Sequence, residues 1–252
     1  ILLMEKMTLS RKKEGIVQMR KPTERFPQKG SRKVYWQMLT LFVVLAVLSG
    51  CQASHGTEIM SIEEKSCAEI GAVLKEFGIN GITEEITQEL EQSLSHLPPD
   101  ILLSKTATLL MSLEDDPAAN GVYSFDMEVP CEDTMYTEFL RGVSALSKGE
   151  LVFENIEEDT SAVNWEEGTG SRTVHFDWQS KSYTLEAQMQ YDWFDIEVAN
   201  QLNEILLASG SEKRLYFTTD GYQSCIVFYC TPEWAEAFAA ATELPLTDCV
   251  EM

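Results

Sequence analysis

Basic side chains are scarce in this chain: nineteen Lys and Arg stand against forty-one Asp and Glu, for a formal net charge of −22. Phosphate backbones repel so acidic a molecule, which excludes nucleic acid as a partner class. Histidine is rarer still. His55, His96 and His175 are the three present, and no two are near each other in sequence. A histidine base paired with a nucleophile therefore has little to draw on. The chain also lacks a G-x-S-x-G elbow, a phosphate-binding glycine loop and the H-E-x-x-H metal motif. Cys-x-x-Cys is missing, and no Cys and His cluster has metal-ligand spacing. On these grounds no metal, no cofactor and no catalytic residue is assigned. Long apolar runs are lacking too. A spanning helix needs about 20 apolar residues, and the unbroken run from Leu41 to Leu48 is far shorter.

What is present begins with that run. A basic approach leads into Met38 to Leu48, an apolar stretch interrupted only by Thr40, and small residues follow. A positive n-region, an apolar h-region of roughly 7 to 15 residues and a small-residue end make a secretory signal. A buried core helix or an uncleaved anchor would also use an apolar stretch. Neither accounts for the basic flank and the ending Leu48-Ser49-Gly50-Cys51 together. Those four residues resemble the lipobox that closes the signal peptide of bacterial lipoprotein precursors. The resemblance implies that residues 1–50 are a signal peptide and that Cys51 receives a diacylglyceryl group through its sulfur. It implies further that the mature protein, beginning at Cys51, is held by acyl chains of the palmitate type in the lipid bilayer, on the extracytoplasmic face of the cell membrane. Gln52 stands where an Asp would resemble an inner-membrane retention signal, so a two-membrane cell would carry it on the outer membrane. The chain opens on Ile1, and a start at Met19 would leave a leader of ordinary length.

Charge divides sharply at Cys51. The first fifty residues hold ten Lys or Arg and three Glu, a net of +7. Set against −22 for the whole chain, this leaves −29 on the remainder, from nine basic and thirty-eight acidic side chains. A basic protein is the partner such a field attracts over distance. Solubility in a crowded extracellular space is the plainer use of the same charge. Lipidation of Cys51 leaves Cys67, Cys131, Cys225, Cys230 and Cys249, an odd set that cannot all pair internally. Small buried side chains are expected, with room for one disulfide. Cys225 and Cys230, five apart on one strand, would point to opposite faces.

Periodicity predicts an α+β fold: an N-terminal helical region followed by a mixed sheet with helices packed on it. After a tether at 51–60, residues 61–113 repeat apolar side chains at helical spacing. One helix carries Ile70, Val73, Leu74 and Phe77. A second, capped by Thr83, carries Ile86, Leu90 and Leu94. A third is capped by Asp100 and carries Leu109, Leu110 and Leu113. The turn-rich stretch at 114–121 reads as a linker; it lacks the alternating carboxylates of a calcium loop. The 122–252 region alternates strands and helices. Strand–helix–strand recurs at Val122 to Ile156 and at Ser182 to Thr218, which suggests two units of the split-βαβ kind. An acidic loop is expected over Glu157 to Gly170, and a two-residue hairpin at Asp220-Gly221.

The candidate site is aromatic and acidic. Tyr191, Trp193 and Phe194 interleave with Asp192 and Asp195 where a strand gives way to a helix, and Tyr222 follows the Asp220-Gly221 turn. Large aromatics near loops serve as binding anchors and equally as core fillers. Tyr191, Trp193 and Tyr222, with the acids Glu157, Glu158 and Asp159, are the expected contact surface for a basic protein. The function this suggests is a non-enzymatic binding or interaction domain, of which an antagonist of a secreted toxin is one version. An envelope-sugar hydrolase using a carboxylate dyad such as Asp192 and Asp195 is the enzymatic alternative. An accessory subunit of an envelope complex is the third.

Overall fold

Two antiparallel sheets organise the chain, and a computed structural model describes them over residues 61–98, 103–129 and 133–249. The expected signal peptide, Cys51 with its expected tether, the expected Asp100 cap and Cys131 lie outside the described residues. Glu58–Met252 form one compact unit. The first sheet has the order β1 (Tyr123–Asp126), β7 (Ser224–Cys230), β6 (Arg214–Thr219). In the second, β4 (Thr169–Trp178) is central. It pairs on one side with β2 (Glu154–Asp159) and β3 (Val163–Asn164), and on the other with β5 (Lys181–Gln188).

Helices are set by their caps. Ser66 and Glu69 form a reciprocal capping box that starts α1 (Cys67–Glu76), and the Thr83 hydroxyl caps α2 (Glu84–Ser95). The third helix, α3 (Lys105–Met111), begins under Ser104. A single turn, α4 (Pro117–Asn120), follows inside the expected linker. Then come α5 (Met135–Leu146), α6 (Glu197–Ala208) and α7 (Pro232–Thr242), the last with Thr231 as cap and Pro232 at its first position. No described helix is long and apolar enough to cross a membrane.

The first sheet is covered on both faces, so β7 reads as a nearly continuous apolar run. One face, with Tyr216, Ile226 and Phe228, meets Ile70 and Leu74 of α1, Leu109 and Leu110 of α3 and Phe238 of α7. This core draws on residues from both sides of the 114–121 segment. The other face, with Leu215, Phe217 and Val227, meets α5 and α6. Those two helices also cover the inner face of the second sheet, through Val174, Phe176, Leu185 and Ala187. The outer face of that sheet carries exposed polar side chains.

The α+β class is as expected, but the strands are all antiparallel and form two sheets instead of one mixed sheet. Both strand–helix–strand segments run from one sheet to the other, β1–α5–β2 and β5–α6–β6, so neither makes a βαβ unit within a sheet. Cys225 faces one core and Cys230 the other, as their spacing requires. Both are free thiols, as are Cys67 and Cys249. Burial pushes the Cys225 and Cys230 thiols up to about 12, and burial together with the nearby Glu91 does the same for Cys67. These three stay protonated and unreactive at neutral pH.

Candidate functional site

The inward register of β4 reads Arg172, Val174, Phe176, Trp178. A guanidinium thus occupies a position that the alternation assigns to the core, and Arg172 is only 2% exposed. Burying a charge is costly unless it is paired and hydrogen-bonded. The partner is Glu158 of β2, whose Oε1 accepts from Arg172 Nη1 at 3.0 Å. The second carboxylate oxygen turns to the start of α5. There Oε2 accepts the backbone N–H groups of Tyr136 and Thr137 at 3.1 Å each, and the Thr137 hydroxyl at 3.3 Å. A carboxylate at a helix N-terminus also meets the positive end of the macrodipole. One acid therefore ties β2, β4 and α5 together.

Aromatic rings close the cluster. The Arg172 guanidinium carbon lies 5.7 Å from the centre of the Tyr136 ring and 5.0 Å from that of Trp165, both within cation–π range. Nη2 reaches the Met189 sulfur at 3.5 Å. Tyr136 carries the network onward: its hydroxyl oxygen accepts the Asp195 N–H at 3.1 Å. Burial pushes that phenol up to about 12, so it stays neutral. Asp195 itself is buried. Its Oδ2 accepts Gln188 N–H at 2.7 Å and its Oδ1 accepts Glu197 N–H at 3.0 Å, closing the end of β5 and the first turn of α6. Asp195 thus turns inward to backbone groups.

Above this base sits a patch of exposed rings. Trp165, on the turn between β3 and β4, is 43% exposed beyond its contact with Arg172. Tyr191 and Trp193 are 68% and 39% exposed. The two turns that carry them are joined: Tyr191 N–H donates to the Gly168 carbonyl at 3.1 Å, and the Tyr191 ring lies against Gly168. Trp193 bridges to Glu128 beyond the end of β1 and to Gln190. Tyr191 also adopts a left-handed backbone, φ +58°. That conformation costs a bulky residue energy, and such residues concentrate at ligand-binding positions. Phe194, next in sequence, goes the other way into the core. Its ring centre is within 5.1 Å of those of Phe125, Tyr136 and Phe139.

Neither family models, curated proteins nor solved structures match this chain. What the site can do is therefore read from its own groups.

The six expected contact residues fall into four places. Tyr191 and Trp193 stand together in the patch. Glu157 and Asp159 are exposed on the outer face of the second sheet, opposite His175 and Thr173. Glu158, between them, points inward to Arg172 and is not available to a partner. Tyr222 is exposed on the β6–β7 turn. That turn spans Asp220 to Gln223, longer than the expected two residues, because Asp220 Oδ1 accepts the N–H groups of Tyr222 and Ser224. Its route to the patch runs through Gln223, which bonds the Glu128 carboxylate beside Trp193.

The expected acidic loop is instead strand β2, the short β3 and their turns. Strand propensity argues against a run such as Glu-Glu-Asp. Pairing with β4 and the buried Arg172 partner override it. On the outer face the Ser161 backbone and hydroxyl hold Asp159 below the usual carboxylate range, and Ser182 and Asn155 do the same for Asp177. Trp165 and Arg172 were not among the expected residues. A lone Arg in phase with Val174, Phe176 and Trp178 was the signal for Arg172; Trp165 is brought to it by the turn between β3 and β4. Among the described residues, no group of three or more His, Cys, Asp or Glu is placed to hold a metal ion.

Proposed function

We propose that this chain is a lipid-anchored extracytoplasmic protein whose folded part is a non-enzymatic binding domain for a basic protein. The anchor follows from the likeness of Leu48-Ser49-Gly50-Cys51 to a lipobox. Two acyl chains on Cys51 supply stable attachment, at about 0.8 kcal/mol per buried methylene. The observation that carries the binding reading is the group of exposed rings Trp165, Tyr191 and Trp193 on a buried, hydrogen-bonded base. Rigid aromatics on a fixed base make interface anchors, because little side-chain freedom is lost on docking. Glu166 and Glu167 beside Trp165, and Glu128 beside Trp193, are exposed acids that complement a cationic partner.

The two halves of the reading are tested separately. Cys51→Ala releases the protein to the soluble fraction or leaves it as precursor; a mature-sized band still on the membrane refutes the anchor. Crosslinking on intact cells recovers a basic partner with the unaltered chain and loses it with Tyr191→Ala combined with Trp193→Ala. Equal recovery refutes the patch.

A further inference from the structure

Strand β5 ends the second sheet, and its free edge is only partly closed. Residues 183, 185 and 187 turn their backbone groups to β4, so Ser182, Thr184, Glu186 and Gln188 turn theirs outward. The side chain of Gln201 on α6 covers Glu186 as a neighbouring strand would. Its Oε1 accepts the Glu186 N–H at 2.9 Å and its Nε2 donates to the Glu186 carbonyl at 2.7 Å. Asp195 takes the Gln188 N–H. At Ser182 and Thr184 the outward backbone groups have no protein partner among the described residues. Beside this gap a groove of about 480 Å³ runs between β5 and α6, with Tyr183, Ile205 and Ala208 along it.

We infer that this edge accepts an extended segment of a basic protein as an added strand, with apolar side chains alternating with Lys or Arg. An added strand completes the ladder at Ser182 and Thr184, the mode in which main-chain bonds give affinity and alternate side chains give specificity. Side chains on its inner face enter the groove against Tyr183, Ile205 and Ala208. Those on its outer face continue the row of Thr184 and Glu186, beyond which lie the exposed Glu157, Asp159 and Glu154. That face favours cations. A second copy of this chain would join two acidic faces into one sheet, which like-charge repulsion opposes. The groove is separate from the aromatic patch, and the inference stands without it.

The test uses the full chain in zwitterionic detergent and a fluorescent peptide of alternating valine and lysine. The comparison peptide has the same composition, with its valines in one block. The alternating peptide binds roughly ten-fold or more tightly than the blocked one, and slows hydrogen exchange at the Ser182 and Thr184 amides. Thr184→Pro removes one outward N–H at an edge position where proline is tolerated, and lowers affinity roughly ten-fold. Ala208→Arg, at an exposed helix position, blocks the groove without touching the strand and has the same effect. Trp193→Ala leaves binding unchanged. Equal binding of both peptides, or full binding to Ala208→Arg, overturns the inference. So does loss of binding in Trp193→Ala, since the peptide would then be held at the patch.

Discussion

Arg172 and Glu158 hold three elements together with one buried ion pair, and their chemistry sets what substitution does. Removing one member of a buried pair leaves the other charge uncompensated and costs about 3–5 kcal/mol. Replacing both with apolar residues of similar volume is often neutral. Arg172→Met and Glu158→Leu are therefore each expected to lower the denaturant midpoint strongly, and the double variant to recover much of the loss. The coupling is read from the double-mutant cycle; additive losses would mean that the two side chains act independently. The same pair shows what one residue's type can reveal. An Arg in the inward register of β4 marks a buried polar centre from sequence alone. Its partner could not be found that way, because Glu158 is one of three consecutive acids and only the register of β2 against β4 turns it inward.

Elements were legible in proportion to how locally they are determined. The Thr83 cap and the apolar stripes of α1 and α2 each rest on a few neighbouring residues, and each is found near its expected place. Strand β2 was displaced, since its pairing depends on residues more than a dozen positions away. Which sheet each strand joins is likewise a long-range choice that periodicity does not encode. The joined turns that carry Trp165 and Tyr191 offer a test at this scale. Gly168 has φ +64°, and a Cβ there would lie 2.4 Å from the Tyr191 ring. Gly210 has φ +81° with open space around it. Gly210→Ala should therefore cost only the backbone strain, roughly 1 kcal/mol. Gly168→Ala adds an overpacking cost of about 1–3 kcal/mol. It should also shift Tyr191 and weaken partner binding. Equal costs at the two glycines would show that the ring yields freely.

At the scale of the whole molecule, a residue's place in the layers decides which expected contacts can act together. The exposed acids Glu157 and Asp159 lie on the outer face of the second sheet, whereas Tyr191 and Trp193 stand on turns beyond its strands. Acids and rings are thus suited to different steps of one association. In the proposed reading, the field of −29 spread over the residues after Gly50 would draw a basic protein in from a distance. The rings would hold it once contact is made. Salt separates the two effects, because the Debye length falls from about 10 Å at 0.1 M to about 3 Å at 1 M. The association rate should drop roughly ten-fold or more over that range, with the dissociation rate little changed. Neutralising Glu157 and Asp159 together should lower the association rate alone. Glu158→Gln should act instead through stability, since its carboxylate faces Arg172. Tyr191→Ala or Trp193→Ala should raise the dissociation rate and leave the salt dependence intact. Tyr222, linked to the patch through Gln223 and Glu128, should have a smaller effect than either. Association kinetics that do not respond to salt would remove the steering role and leave the acidic surface to solubility alone.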